Sequence, residues 1–280
     1  MAGKVFFTVA VTLDRFIAPE SRPEDLEALR SGTTTPGLKR WMAQWMELQH
    51  WAFKQRFFRE NLKLSGGGEV GVDNTVLERT YNRTGASVMG KRMFDRGEHQ
   101  WPEEAPFHTP VYVVTHEVRE PWERPGGTTF HFVNDGIEGA LEQARKAGGD
   151  RDVRIAGGAE TILQYLNAGL VDEFTITLAP VFFGTGVRLF ERVNASRRRP
   201  ARARRPSSSQ RFHKSASKRR TNSVIDVAIT LESEAAATAD QADRRGSYRR
   251  APSARSRCPT KRRPPARIAS HASRGPRRTS

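Results

Sequence analysis

Between residues 86 and 183 the sequence alternates short apolar runs with amphipathic stretches, and this alternation limits the fold more than any other feature. Ala86–Met89, Val111–Val114 and Thr128–Val133 are strand-like runs. "DGIEGALEQARKAG" follows with Ile137, Ala140, Leu141 and Ala144 on one helical face and Gly148 as its stop. "DVRIAGG" is again strand-like, "AETILQYLNAGL" helical and "DEFTITLAPVFF" strand-like. Strands that alternate with helices predict an α/β layer fold with a largely parallel sheet. Lys4–Leu13, rich in Val, Phe and Thr, is a further strand, buried on both faces.

Charge divides the chain. Residues 1–191 hold 22 of the 47 Lys and Arg and 26 of the 31 Asp and Glu, while residues 192–280 hold the other 25 and 5. The formal net charge of +16 therefore belongs to the second part. Its Arg, Ser, Pro and Ala text cannot bury enough apolar surface to offset ordering entropy, which predicts a disordered basic tail over 192–280. Dense arginine predicts nonspecific nucleic-acid binding as one use of that tail; a solvated tail without function, or sequence read out of frame, are the others. Ser223–Leu231 alternates like a strand and needs a sheet edge to join.

Several function classes are excluded or weakened. The single Cys258 leaves no disulfide framework within one chain, and the His residues show no paired metal-ligand spacing, so no metal is expected. No apolar run reaches membrane-spanning length, and the protein is expected to be cytoplasmic. "GGGEVG" at Gly66–Gly71 fits a dinucleotide fingerprint only formally, because no strand precedes it. It reads as a loop before a helix capped by Asp73. "APESRPED" reads as a turn, and Leu38–Leu64 as one long or two shorter helices whose Trp41, Trp45, Leu48, Ala52 and Phe57 form a core or a dimer face.

In α/β sheets ligands gather at the carboxyl ends of the strands. Four signals fall there: Asp14–Phe16, Gly90 with Lys91 and Arg92, Thr115 with His116, and Gly157 with Gly158. Free N–H groups at a helix start beside two cations make an anion site of Gly90–Arg92. The strand–Gly157–Gly158–helix passage lets backbone approach a phosphate, although paired glycines also ease a tight turn.

The segments "VAVTLDRFIA", "VMGKRMFD", "VYVVTH" and "VRIAGGAETILQYLNAGLVDEFTITLAPVFFGTGVRLFE", in this order, resemble the dihydrofolate reductase-like superfamily. The resemblance covers residues 4–191 and is to the branch holding the reductase domain of the bifunctional riboflavin-biosynthesis deaminase-reductase. It implies a three-layer α/β/α fold with a mixed, mostly parallel central sheet. It also implies an NADPH-dependent reductase of a small heterocyclic or carbonyl substrate, related to 5-amino-6-(5-phosphoribosylamino)uracil reductase and dihydrofolate reductase. A homodimer is expected. By this resemblance Gly157, Gly158, Ala159 and Glu160 border the cofactor pyrophosphate. Gly90, Lys91 and Arg92 take the 2′-phosphate side of the adenosine, and Thr115 and His116 border the same group. Ala10 and Leu13–Ile17, including Phe16 and Ile17, line the nicotinamide and substrate. Asp14 is the candidate proton donor or, alternatively, a turn-fixing residue. The family's usual glycine after Asp14 is Arg15 here, and after Phe190 the family's final strand is replaced by the Arg-rich text. Either Ser223–Leu231 takes its place or the sheet lacks an edge strand. The alternative to an enzyme is a reductase-like fold without activity.

Overall fold

A computed structural model of the protein describes residues 3–194, 202–204 and 225–230, the last two stretches as backbone. Elements follow in the order β1 (Val5–Thr12), β2 (Phe16–Ala18), α1 (Pro23–Arg30), α2 (Pro36–Phe53), α3 (Arg56–Asn61), α4 (Val72–Arg83), β3 (Thr84–Gly90), α5 (Lys91–Glu98), β4 (Pro110–Val114), β5 (Trp122–Arg124), β6 (Thr128–Val133), α6 (Gly136–Gly148), β7 (Asp152–Gly157), α7 (Ala159–Ala168), β8 (Glu173–Ala179), β9 (Val187–Arg188), β10 (Arg202–Arg204) and β11 (Ile225–Thr230).

One sheet has the strand order β10-β11-β8-β1-β7-β3-β4-β6-β5. The central pairs from β8 through β6 are parallel, and antiparallel pairing is confined to the flanks, at β11–β8, β10–β11 and β5–β6. Alternation along each strand sends side chains to two different layers. In β1, Val9 and Val11 pack with Leu141, Ile162 and Tyr165 of α6 and α7, while Ala10 between them packs with Leu48, Trp51 and Leu77 of α2 and α4. Met89, Val111 and Phe130 carry that second layer outward under Phe94 of α5. Helices thus cover both faces of a mixed, mostly parallel sheet, the three-layer arrangement expected from the sequence.

The sheet extends beyond residue 191. β11 pairs antiparallel with β8, setting Val227 opposite Ile176, so the predicted island joins the sheet beside β8, with β10 on its other side. The expected disorder and nucleic-acid contacts of the tail, and Cys258, otherwise lie outside the described residues.

Three local expectations are corrected. "SRPED" is not a turn throughout, because Pro23 opens α1, where a missing N–H and fixed φ suit the first helical position. α4 has Gly71 rather than Asp73 at its N-cap, with Asp73 in the first turn, where the helix dipole favours a carboxylate. α6 runs through Gly148 and ends at Gly149, whose φ of +63° closes it; where α6 meets β3 the residue that must be glycine is Gly85, because a Cβ there would lie 2.8 Å from the Gly148 backbone. Leu38–Leu64 is two helices, α2 and α3, separated at Lys54–Gln55.

Candidate active site at the carboxyl ends of the strands

The order β1-β7-β3-β4 brings the four signals into one row along the edge where these parallel strands end. Asp14–Ile17 follows β1, Gly157–Glu160 closes β7, Gly90–Arg92 closes β3, and Thr115–His116 follows β4.

The two glycine junctions are in contact. Met89 is the register partner of Gly157, and a Cβ on Gly90 would stand 2.2 Å from Thr161 Oγ1, so only glycine lets β3 end this close to α7. The Gly157–Gly158 peptide is cis. Gly157 has φ +135°, and a Cβ there would lie 2.9 Å from Met93 Sδ, so this position is glycine for conformation and for packing. Gly158 differs: nothing lies within 4 Å of where its Cβ would be. α7 begins at the next residue, so its first N–H groups, which have no intrahelical acceptor, border that open space.

The cations expected beside Gly90 are not equivalent. Lys91 donates to Asp95 and, at 3.0 Å, to Glu117, and Arg30 holds the other Asp95 oxygen at 2.8 Å. Burial disfavours its charge, but these carboxylates more than compensate and raise its pKa. Lys91 therefore joins α5 to the segment after β4. Arg92 is exposed and has no carboxylate partner among the described residues. Its charge is felt one turn on: burial and then Arg92 depress the pKa of Arg96, whose guanidinium lies 5.0 Å from the Trp41 ring centre.

Thr115 is buried; its N–H donates to the Val133 carbonyl and its hydroxyl accepts from the Glu117 N–H, so it shapes the segment that presents His116. His116 is exposed. Ala159 is partly buried against the α6–α7 layer, and the exposed Glu160 pairs with Arg192. Ala10 and Phe16 are buried in the cluster beneath α2 and offer an apolar floor rather than open side chains, while Ile17 is partly buried in the opposite layer.

Asp14 is placed to fix a turn. Its carboxylate accepts from the Thr12 hydroxyl at 2.5 Å, the Gly184 N–H at 2.7 Å and the Phe183 N–H at 3.1 Å. Its slight burial raises the pKa, but these donors prevail and hold it below the usual carboxylate range. These donors favour the ionised carboxylate and suit the turn-fixing alternative for Asp14. The turn it fixes includes Arg15 at φ +72°, a conformation that glycine adopts freely.

A second feature is absent from the sequence-derived site. A narrow groove lies between α2, the start of α4 and the end of β8, and its lining includes His50, Trp51, Lys54, Glu69, Asp73 and Val181. Trp51 and Leu48 of this lining share a cluster with Ala10, Phe16 and Ala179, so the groove adjoins the β1 end of the row. Helical spacing of the aromatics in α2 identifies a buried face but cannot tell a filled core from a groove wall.

Fold and edge define a class: a three-layer α/β domain whose open helix start suits a phosphate-bearing ligand. The chain belongs to the family of the RibD C-terminal domain, whose model matches residues 3–213. Two curated relatives from Bacillus subtilis (strain 168) are similar over a shorter stretch. The uncharacterized protein YyaP is 39% identical over 67 residues and the uncharacterized protein YwjB 34% over 62; each match covers 22% of this chain and 35% of the relative. The matched stretches thus span about a third of those relatives' length. Among solved structures, a putative riboflavin biosynthesis protein from Shewanella sp. PV-4 is 18% identical with TM-score 0.47, covering 83% of this chain and 100% of its own. A dihydrofolate reductase from Enterococcus faecalis, complexed with NADP(H), is 13% identical with TM-score 0.43, covering 83% of this chain and 99% of its own.

Among the described residues no group of three or more His, Cys, Asp or Glu is placed to hold a metal ion, and no helix is long and apolar enough to cross a membrane.

Proposed function

We propose that this protein is an NADPH-dependent reductase that transfers a hydride to a small heterocyclic or carbonyl substrate, with the cofactor laid along the row of strand ends. The observation that carries this reading is the open space at Gly158, bordered by the N-terminus of α7 and adjoining the Gly90 junction. The residues present fit the cofactor. Backbone N–H groups after Gly158 are donors for a pyrophosphate, and their partial positive charge needs no side chain. Arg92 is the free guanidinium for a 2′-phosphate, a group that a planar fork of donors binds in two places at once. His116, held out by the turn around Thr115, borders the adenosine. Bound there, NADPH supplies the hydride from C4 of its nicotinamide.

The protein's contribution is positioning and exclusion of water. Ala10 and Phe16 supply a dry floor at the β1 end, and Leu13–Ile17 forms the wall above it. Asp14 keeps that wall in place by tying the turn after β1 to Phe183 and Gly184. Lys91 acts at one remove, holding the helix start that carries Arg92 against the segment that carries His116.

Titration of the folded chain with NADPH and NADH, followed by quenching of tryptophan fluorescence, tests this reading. NADPH is expected to bind at least about tenfold more tightly, and Arg92→Glu to remove the difference, as loss of a charge-assisted pair implies. Failure of both nucleotides to bind the folded protein would overturn it.

A further inference from the structure

Glu160 stands against the cofactor reading unless something neutralises it. It is the second residue of α7, next to the gap at Gly158, where a carboxylate would repel the doubly charged pyrophosphate. The neutralising group comes from the far end of the domain. Asn167, on the same face of α7 as Glu160, donates its amide N–H to the Arg192 carbonyl at 3.1 Å and accepts from the Asn194 N–H at 2.9 Å. Val193 packs against the cluster shared by α6 and α7. The backbone around residue 192 is therefore pinned at the carboxyl end of the helix. The Arg192 side chain runs back along α7 and pairs with Glu160, two turns or about 10 Å before Asn167.

Only one edge of the guanidinium is used. Nη2 donates to Glu160, the other donors have no acceptor among the described residues, and the side chain is 68% exposed. An exposed pair of this kind adds little stability, because water screens it and two long side chains must be ordered. A guanidinium can hold a carboxylate on one edge and a phosphate on another, since its N–H groups form a rigid planar fork. We infer that Arg192 is a phosphate-binding residue of the cofactor site, which cancels the charge of Glu160 and turns its free edge to the pyrophosphate of the dinucleotide. The inference rests on the NADPH reading above and extends it to a residue well outside the glycine passage. Arg92 and Arg192 then divide the anionic groups, the start of α5 taking the 2′-phosphate and the start of α7 the pyrophosphate. Arg192 is also the first residue of the Arg-rich text, so the basic stretch begins at the site rather than apart from it.

The test titrates the full chain with NADP⁺ by calorimetry and follows the ³¹P signals of the bound dinucleotide, in which the pyrophosphate and the 2′-phosphate are resolved. Arg192→Ala is expected to weaken NADP⁺ binding at least about tenfold, as loss of a charge-assisted hydrogen bond implies, with the melting temperature shifted by less than about 2 °C. Arg192→Lys should recover part of the affinity. Adding Glu160→Gln to Arg192→Ala should restore binding at least about threefold, because the unopposed carboxylate is removed. The ³¹P shift should fall at the pyrophosphate and persist at the 2′-phosphate. The inference is overturned by any of three results: an Arg192→Ala affinity within about twofold of the unaltered protein, no gain from Glu160→Gln in that background, or an equal loss of both ³¹P shifts. Absence of NADP⁺ binding by the folded, unaltered protein would instead overturn the cofactor reading, and this inference with it.

Discussion

The two ends of the same parallel strands are built on opposite principles. At the amino ends, charges neutralise one another. Arg83, the last residue of α4, reaches Asp152 at the start of β7 and Glu173 at the start of β8, each at 2.5 Å, and Lys4 closes the group on Glu173 at 2.9 Å. The Arg83 guanidinium also stacks 4.1 Å from the Phe6 ring centre. At the carboxyl ends, Arg92 and His116 project without such partners and Gly158 leaves a gap. A closed network stabilises the sheet and leaves nothing for a ligand to complete, whereas unpaired groups weaken the free protein and are satisfied on binding. The comparison assigns stability to one end and recognition to the other, and substitutions at the two ends should therefore separate.

The largest effect is expected at Gly157, where both properties meet. Gly157→Val forces a branched side chain into φ +135° and against Met93, and should lower stability by about 3 kcal/mol or more together with loss of NADPH binding. Thermal melting and titration on the same sample check this. At the closed end, Arg83→Met leaves Asp152 and Glu173 without their shared partner. With the group about a third exposed, the expected loss in denaturant unfolding is roughly 2 kcal/mol, with NADPH affinity unchanged. A parallel fall in affinity would break the separation of the two ends.

Acid should act first on the closed end. Burial raises the pKa of Glu173, but Lys4 and Arg83 lower it further, so its folded value lies below the ordinary 4.5. A carboxylate depressed in the folded state contributes stability that is complete above its unfolded value and is lost as pH falls through the folded one. Stability should hold near neutrality and drop below about pH 4.5, and Arg83→Met should flatten that drop. The smallest expected effect is at the turn after β1. Arg15→Gly relieves a left-handed residue but loosens the unfolded chain, for a net gain of about 0.5 kcal/mol at most by melting.

Much of this division could be read in the sequence, and the missing part has a common cause. Apolar runs such as Val111–Val114 and Thr128–Val133 set the strands because strand burial leaves a local pattern. The alternation of Ser223–Leu231 marked a strand, although nothing local could show that β8 is its neighbour. Pro23 looked like a turn because proline opens helices and turns alike. The row of Asp14, Gly157, Gly90 and Thr115 followed from topology, since strand ends of a parallel sheet share an edge. The roles of Lys91 and Asp14 depended on residues far along the chain: Glu117 claims the lysine, and Phe183 and Gly184 claim the carboxylate. The groove beside Trp51 is a tertiary fact, because helical spacing is the same for a filled core and a groove wall.

Gly158→Val tests the central claim most directly. A Cβ added there meets nothing within 4 Å, and the residue's φ of −73° is open to any amino acid. Stability should therefore stay within about 0.5 kcal/mol of the unaltered protein. If the space at Gly158 holds the cofactor pyrophosphate, NADPH affinity measured by calorimetric titration should fall at least about a hundredfold, the effect of a side chain filling a backbone–phosphate contact. Undiminished NADPH binding by a stably folded Gly158→Val protein would contradict the account.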